Sequence, residues 1–191
     1  MYGLVNKALK ELILERFGLE LWNKVMVEAR IDNDDFISNE SYDDETTYSI
    51  VGSASKLTGI SATELLRAFG EHWVLRTARE GYGAMMETHG GSLPEFLQHL
   101  PNFHRRVKLI FPNLQPPRFT VSDTTPTSLN LHYHTHRAGL SEFVVGLLHG
   151  LGKSFGSSVS VTQVARKEEG ADHDVFLVEW ADGTGESNPQ A

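Results

Sequence analysis

The segment His132-Tyr133-His134-Thr135-His136-Arg137 sets six side chains that can ligate, donate or accept side by side. Along a strand, side chains alternate between faces, so His132, His134 and His136 fall on one side and Tyr133, Thr135 and Arg137 on the other. The histidine side is either a solvated strand face or a set of nitrogens for zinc or nickel. No carboxylate to orient those rings stands nearby in sequence. The opposite side offers two hydroxyls and a guanidinium, which suits an anion with more than one carboxylate oxygen gripped bidentately by arginine. A second candidate is His104, because Leu97, Leu100 and Val107 at −7, −4 and +3 put its ring on the apolar face of a helix. Such a ring is either a buried histidine bonded to a backbone carbonyl or a ligand reaching into an apolar cavity.

These side chains need a core around them. The chain has 191 residues, 40% of them apolar, which fits one domain able to enclose a sizeable ligand. A formal charge of −8 repels phosphate backbones and anionic lipid, so neither nucleic acid nor a membrane is expected as partner. Cysteine is absent, which excludes disulfides, thiolate metal sites and covalently attached c-type haem, so any metal must use histidine or carboxylate. The start, Met1-Tyr2-Gly3-Leu4-Val5-Asn6-Lys7, turns polar too soon for a signal peptide, and the cytoplasm is the expected location.

Periodicity places helices in the first two-thirds and strands in the last third, an α+β chain with a C-terminal antiparallel sheet of about four strands. Leu4, Leu9, Leu12 and Ile13 mark a first helix stopping at Gly18, Leu21 to Met26 a second, and Tyr48 to Leu57 a third. Ser61-Ala62-Thr63-Glu64 is a capping box opening a helix with Leu65, Leu66, Phe69, Trp73 and Thr77 on one side. Glycines 81, 83, 90 and 91 bracket a short helix, and Ser92-Leu93-Pro94-Glu95 opens a longer one that Pro101 should kink or restart, leaving a segment to about Ile110. Strands are expected over Arg118–Ser122, Ser128–His136, Val159–Ala165 and Val175–Trp180, with a buried helix over Gly139–Phe155. The expected organisation is a single domain over 1–182, with a helical part over about 1–60 and the functional helices and sheet over about 61–182. Residues 183–191 are read as a loose tail.

With these pieces in order, the chain resembles the haem nitric oxide/oxygen binding (H-NOX) family, which includes the sensory part of soluble guanylate cyclase. That family carries Tyr-x-Ser-x-Arg on a strand, matched by Tyr133-His134-Thr135-His136-Arg137 with threonine keeping the hydroxyl, and an axial histidine shortly before a Pro-Pro pair, matched by His104 and Pro116-Pro117. Met1-Tyr2-Gly3 and Ala68-Phe69-Gly70 also look like the family, so the resemblance runs to about Trp180.

The resemblance implies non-covalent haem b, buried between helices and sheet, with His104 as sole protein ligand and its propionates held by Tyr133, Thr135 and Arg137. Asp44 falls where the family sets a carboxylate against the motif arginine, Pro117 where a proline bends the macrocycle, and Leu100 on the haem-facing side of the His104 helix. The distal wall would comprise Val5, Leu9, Trp73, Thr77, Phe143 and Leu147. With a one-residue gap after Arg137, Phe143 stands where oxygen-binding members carry a tyrosine; without it, Glu142 does. Oxygen needs a hydrogen-bond donor there and nitric oxide does not, so NO, and also CO, are the expected ligands, with oxygen disfavoured unless Trp73 or Thr77 donates. NO would weaken the iron bond to His104 opposite, free its helix and relax strain at Pro117. The chain is read as a sensor rather than an enzyme, acting on a separate histidine kinase or cyclic-nucleotide signalling enzyme. The competing readings are an oxygen-binding haem protein of the same fold, and a metal-binding module using His132, His134 and His136.

Overall fold

The computed structural model describes residues 1–110 and 115–182; the expected tail over 183–191 lies outside them. Helices α1 (Gly3–Ala29), α2 (Asp44–Thr58), α3 (Ala62–His72), α4 (Arg79–Glu87) and α5 (Leu93–Ile110) precede a hairpin of β1 (Arg118–Ser122) and β2 (Ser128–His134), then α6 (Ser141–Ser154), β3 (Ser157–Ala165) and β4 (Asp174–Asp182). The four strands form one antiparallel sheet in the order β1-β2-β4-β3, as the alternation predicts.

Local chemistry explains most boundaries. Gly18, at φ 80° and ψ 174°, leaves helical geometry in a backbone conformation open to glycine, so α1 is the two expected helices joined at a kink. Ser61 and Glu64 close the capping box at α3 in both directions. Asp43, Asp44 and Glu45 extend α2 upstream of Tyr48, with Asp44 and Glu45 in a first turn that favours negative charge.

Three expectations fail. No break separates α3 from α4: Trp73–Ala78 form a π-helical turn between them, and Gly81 and Gly83 lie within α4. Pro101 does not restart the helix but sits inside a continuous α5; buried Phe96, Leu97, Leu100, Phe103 and Val107 lie on both sides of the missing hydrogen bond. Strand β2 ends at His134, because its partner β4 begins at Asp174 opposite Tyr133, so Thr135 and Arg137 lie just beyond the ladder.

The core is in two parts. Leu9, Ile13, Trp22, Val25, Ile50 and Phe69 fill the N-terminal part, and Leu97, Phe103, Phe119, Leu131, Leu148 and Phe176 fill that between α5, α6 and the sheet. Trp73 packs against both. Helices α3 and α6 cross in direct backbone contact: a Cβ on Gly70 would meet the Phe143 carbonyl oxygen at 2.1 Å, and one on Gly146 the Arg67 carbonyl oxygen at 2.1 Å. No described helix is long and apolar enough to cross a membrane.

Candidate functional site

Between α5 and the sheet on one side and α1, α3 and α6 on the other lies a cavity of about 630 Å³, the size of a cofactor site. His104 reaches its wall from α5, where the 3.6-residue repeat aligns it with Leu100 and Val107, and its ring lies 5.3 Å from that of Phe119 on β1. Its Nδ1 is buried without a hydrogen-bond partner among the described residues. Burial, partly opposed by the Pro117 backbone, pushes its pKa down to about 4, so near pH 7 the ring is neutral and holds a lone pair.

Tyr133, Thr135 and Arg137 gather along one edge of the same cavity. Tyr133 is buried and stacks on Phe119 with centroids 5.3 Å apart; burial raises its pKa, opposed by its bond to Thr135. The Arg137 amide donates to Thr135 Oγ1 at 3.1 Å, closing a tight turn beyond β2. Arg137 Nε donates to Asp44 Oδ2 at 2.8 Å, and Nη1 to the Gln115 carbonyl at 3.1 Å. Burial works to raise the Asp44 pKa, but the Met1 amino group at 2.7 Å and the Arg137 guanidinium outweigh it and hold the carboxyl below its ordinary value. Asp44 therefore faces the motif arginine across 93 residues of chain.

The far wall carries Val5, Trp73, Phe143 and Leu147, and Leu100 and Pro117 also line the cavity. The Phe143 ring lies 4.8 Å from Phe69 and 6.4 Å from Trp73. Glu142, the other candidate for that position, instead pairs with Arg67 at 2.5 Å. Leu9 and Thr77 do not line the cavity. Leu9 is spent in the N-terminal core, and the π-helical turn, with its i to i+5 period, brings Val74 and Ala78 to the wall in place of Thr77. His136 leaves the histidine face and lines the cavity. Sequence reasoning passed over Val144 and Leu148, for which the apolar circumference of α6 was the available signal, and Tyr82 of α4, which had none.

A buried, neutral imidazole on the wall of an apolar slot with a cationic and hydroxyl-bearing edge fits haem: one ligand for iron and three donors for propionates. Fold and slot together define a protein that encloses a flat, apolar metal macrocycle edged with carboxylates. The family model described as Haem-NO-binding matches residues 2–163, and the chain belongs to that family, whose cofactor is haem and whose members sense gases.

Among curated proteins it is similar to soluble guanylate cyclase gcy-31 of Caenorhabditis elegans, 25% identical over 151 residues, covering 79% of this chain and 22% of the relative. It is likewise similar to guanylate cyclase soluble subunit beta-2 of Rattus norvegicus, 31% identical over 120 residues, covering 60% of this chain and 18% of the relative. The chain thus spans about a fifth of the length of these two relatives. Its fold matches an H-NOX protein from S. oneidensis in the Fe(II)NO ligation state (TM-score 0.85, 18% identity, 95% of this chain and 99% of that one). It also matches the unliganded Fe(II) H-NOX protein from K. algicida (TM-score 0.84, 24% identity, 95% and 97%).

Proposed function

We propose that this chain is a cytoplasmic, NO-selective haem sensor, folded as one domain over residues 1–182, that signals to a separate protein and carries no catalysis of its own. The observation that carries the reading is the neutral, buried His104 ring on the wall of a cavity whose far wall presents Phe143. Bound haem would supply a ferrous iron able to take up a diatomic gas. His104 is the residue to hold that iron, because its ring is already neutral and already dehydrated. Tyr133, Thr135 and Arg137 are the residues that would hold the propionates, with Asp44 fixing the guanidinium, and Pro117, which lines the cavity, would pack against the macrocycle. Val5, Trp73, Phe143, Leu147 and Leu100 exclude water.

Selectivity follows from Phe143. A bound gas that gathers negative charge needs a donor in so apolar a place, and a phenyl ring has none. NO and CO are therefore the ligands and oxygen is not. The oxygen-binding reading depends instead on Trp73 and Tyr82, which bring an indole and a phenol to the wall.

His104 shares α5 with Phe103 and Val107, which pack in one cluster with Phe119 of β1 and Tyr133 of β2. A displacement of His104 is thus passed to the hairpin. The partner reads that shape if it binds the two conformations unequally; a histidine kinase or cyclic-nucleotide signalling enzyme fits that role.

The test is the visible spectrum of the dithionite-reduced protein, taken anaerobically, in air and with NO, beside His104→Gly supplied with imidazole. Five-coordinate ferrous haem that binds NO, forms no stable oxygen complex and needs imidazole in the variant is expected. A stable spectrum of an oxygen complex in air overturns NO selectivity, and unchanged haem binding by His104→Gly without imidazole overturns the axial assignment.

A further inference from the structure

The face of the sheet turned away from the haem cavity carries a second set of nitrogens. On β2, Leu131 and Tyr133 are buried, so the intervening His132 and the adjoining His134 stand on the opposite face. Strand β4 starts at Asp174 opposite Tyr133, and one step earlier His173 falls beside His134, the two rings stacked with centroids 3.9 Å apart. Ligand atoms of His134, His173 and Asp172 lie within 4.8 Å of one another, and His132 Nδ1 lies 2.8 Å from His173 Nε2. His134, His173 and Asp172 therefore form one group, from the end of β2 and the two residues before β4, and His132 adjoins it through His173; His136, expected on this face from the alternation, is not among them.

Hydrogen-bond bookkeeping shows what the cluster requires. His173 Nδ1 lies 3.0 Å from Asp172 Oδ2. A carboxylate oxygen accepts, so Nδ1 carries the proton of this bond. A neutral His173 then has a bare Nε2. At the other end, Ser122 Oγ sits 2.8 Å from Asp123 Oδ2 and 2.8 Å from His132 Nε2. Asn130 Nδ2 donates to the same carboxylate oxygen at 2.8 Å. The single hydroxyl proton of Ser122 goes to that carboxylate, so the serine oxygen accepts from His132 Nε2 and a neutral His132 has a bare Nδ1. The two bare nitrogens face each other at 2.8 Å, an arrangement that repels unless something positive lies between them.

We infer that His132, His134 and His173 form a site for a divalent transition-metal ion of the zinc class, with Asp172 orienting His173 from behind. Nitrogens bound to one tetrahedral zinc, each at about 2.0–2.1 Å, stand roughly 3.3 Å apart, so His132 and His173 need to part by only about half an ångström, within reach of small side-chain rotations. The third nitrogen comes from His134, whose ring stacks on that of His173 and belongs to the same group of ligand atoms. Asp172 on His173 Nδ1 is the carboxylate–histidine–metal relay that fixes the coordinating tautomer. Asp172 is largely exposed and His173 partly so, so the ion is reached from solvent and keeps water in its remaining position. The ion would also pin the start of β4 to the end of β2, next to the turn that carries Thr135 and Arg137.

The site is tested on haem-loaded, tag-free protein dialysed against zinc in the presence of a chromophoric competitor, with bound zinc counted against protein rather than against iron. One zinc per chain is expected, lost in His132→Ala and in His173→Ala, retained in His99→Ala, and weakened roughly 10- to 100-fold in Asp172→Asn. Zinc should also raise the melting temperature of the parent protein and not of His173→Ala. No saturable binding, or binding that His173→Ala leaves unchanged, overturns the site and leaves a shared proton as the cation between the two rings.

Discussion

Removal of the Arg137 guanidinium puts a number on the propionate grip. A guanidinium has five N–H bonds. In this chain Nε–H is spent on Asp44 at 2.8 Å and one Nη1–H on the Gln115 carbonyl at 3.1 Å, which leaves three directed elsewhere. Because Arg137 lines the cavity and is half-buried, a bond from those donors to a carboxylate is charge-assisted and poorly screened, worth about 1.5–3 kcal/mol. At a tenfold change per 1.4 kcal/mol, Arg137→Ala should speed haem loss about 10- to 150-fold. The variant should still fold, since Asp44 keeps the Met1 amino group at 2.7 Å and is not left as a bare buried charge. Asp44→Asn keeps the guanidinium and loosens only its support, so its effect should be about fivefold, the worth of a pair near 1 kcal/mol. The assay is haem transfer to excess apomyoglobin, followed at the Soret band. A rate for Arg137→Ala within twofold of the parent refutes the reasoning, because the remaining donors would then hold nothing.

Two further expectations concern α6, with a control in α2. Phe143→Tyr places a phenol beside Phe69 and Trp73, and should convert a ferrous protein with no oxygen spectrum into one that shows a stable complex in air; an unchanged aerobic spectrum would mean that this ring lies out of reach of the gas. Gly146→Ala forces a Cβ to 2.1 Å from the Arg67 carbonyl oxygen, an overpacking worth about 1–3 kcal/mol or more. Its melting temperature should fall by roughly 2–12 °C. Gly52→Ala in α2, where nothing lies within 4 Å of the new Cβ, should hold or slightly raise it.

Much of the site was legible because it rests on short-range repetition. Spacing of 3 and 4 around His104 put its ring on the buried face of α5, and the alternation of buried Leu129, Leu131 and Tyr133 with half-buried neighbours fixed the faces of β2. What could not be read was whatever depends on departures from those periods or on distant partners. The extra residue of the π-helical turn moves Thr77 off the wall and brings Ala78 to it, which a 3.6-residue repeat cannot anticipate. Pro101 breaks a local rule that the packing of α5 overrides. Asp172 and His173 escape notice because their meeting with His132 and His134 is made by strand pairing across some 40 residues.

Strand β2 is a two-sided component, with Tyr133 turned to the cavity and His132 and His134 to the opposite surface. Its side chains repeat every two residues, so a single-residue insertion between Leu131 and His132 would send the histidines inward and the tyrosine outward together. Neither chemistry can be lost separately by such an event. A gene for this chain can drift through substitutions at either face independently, but it is closed to changes of length within these seven residues, and length variation should gather in the 123–127 turn.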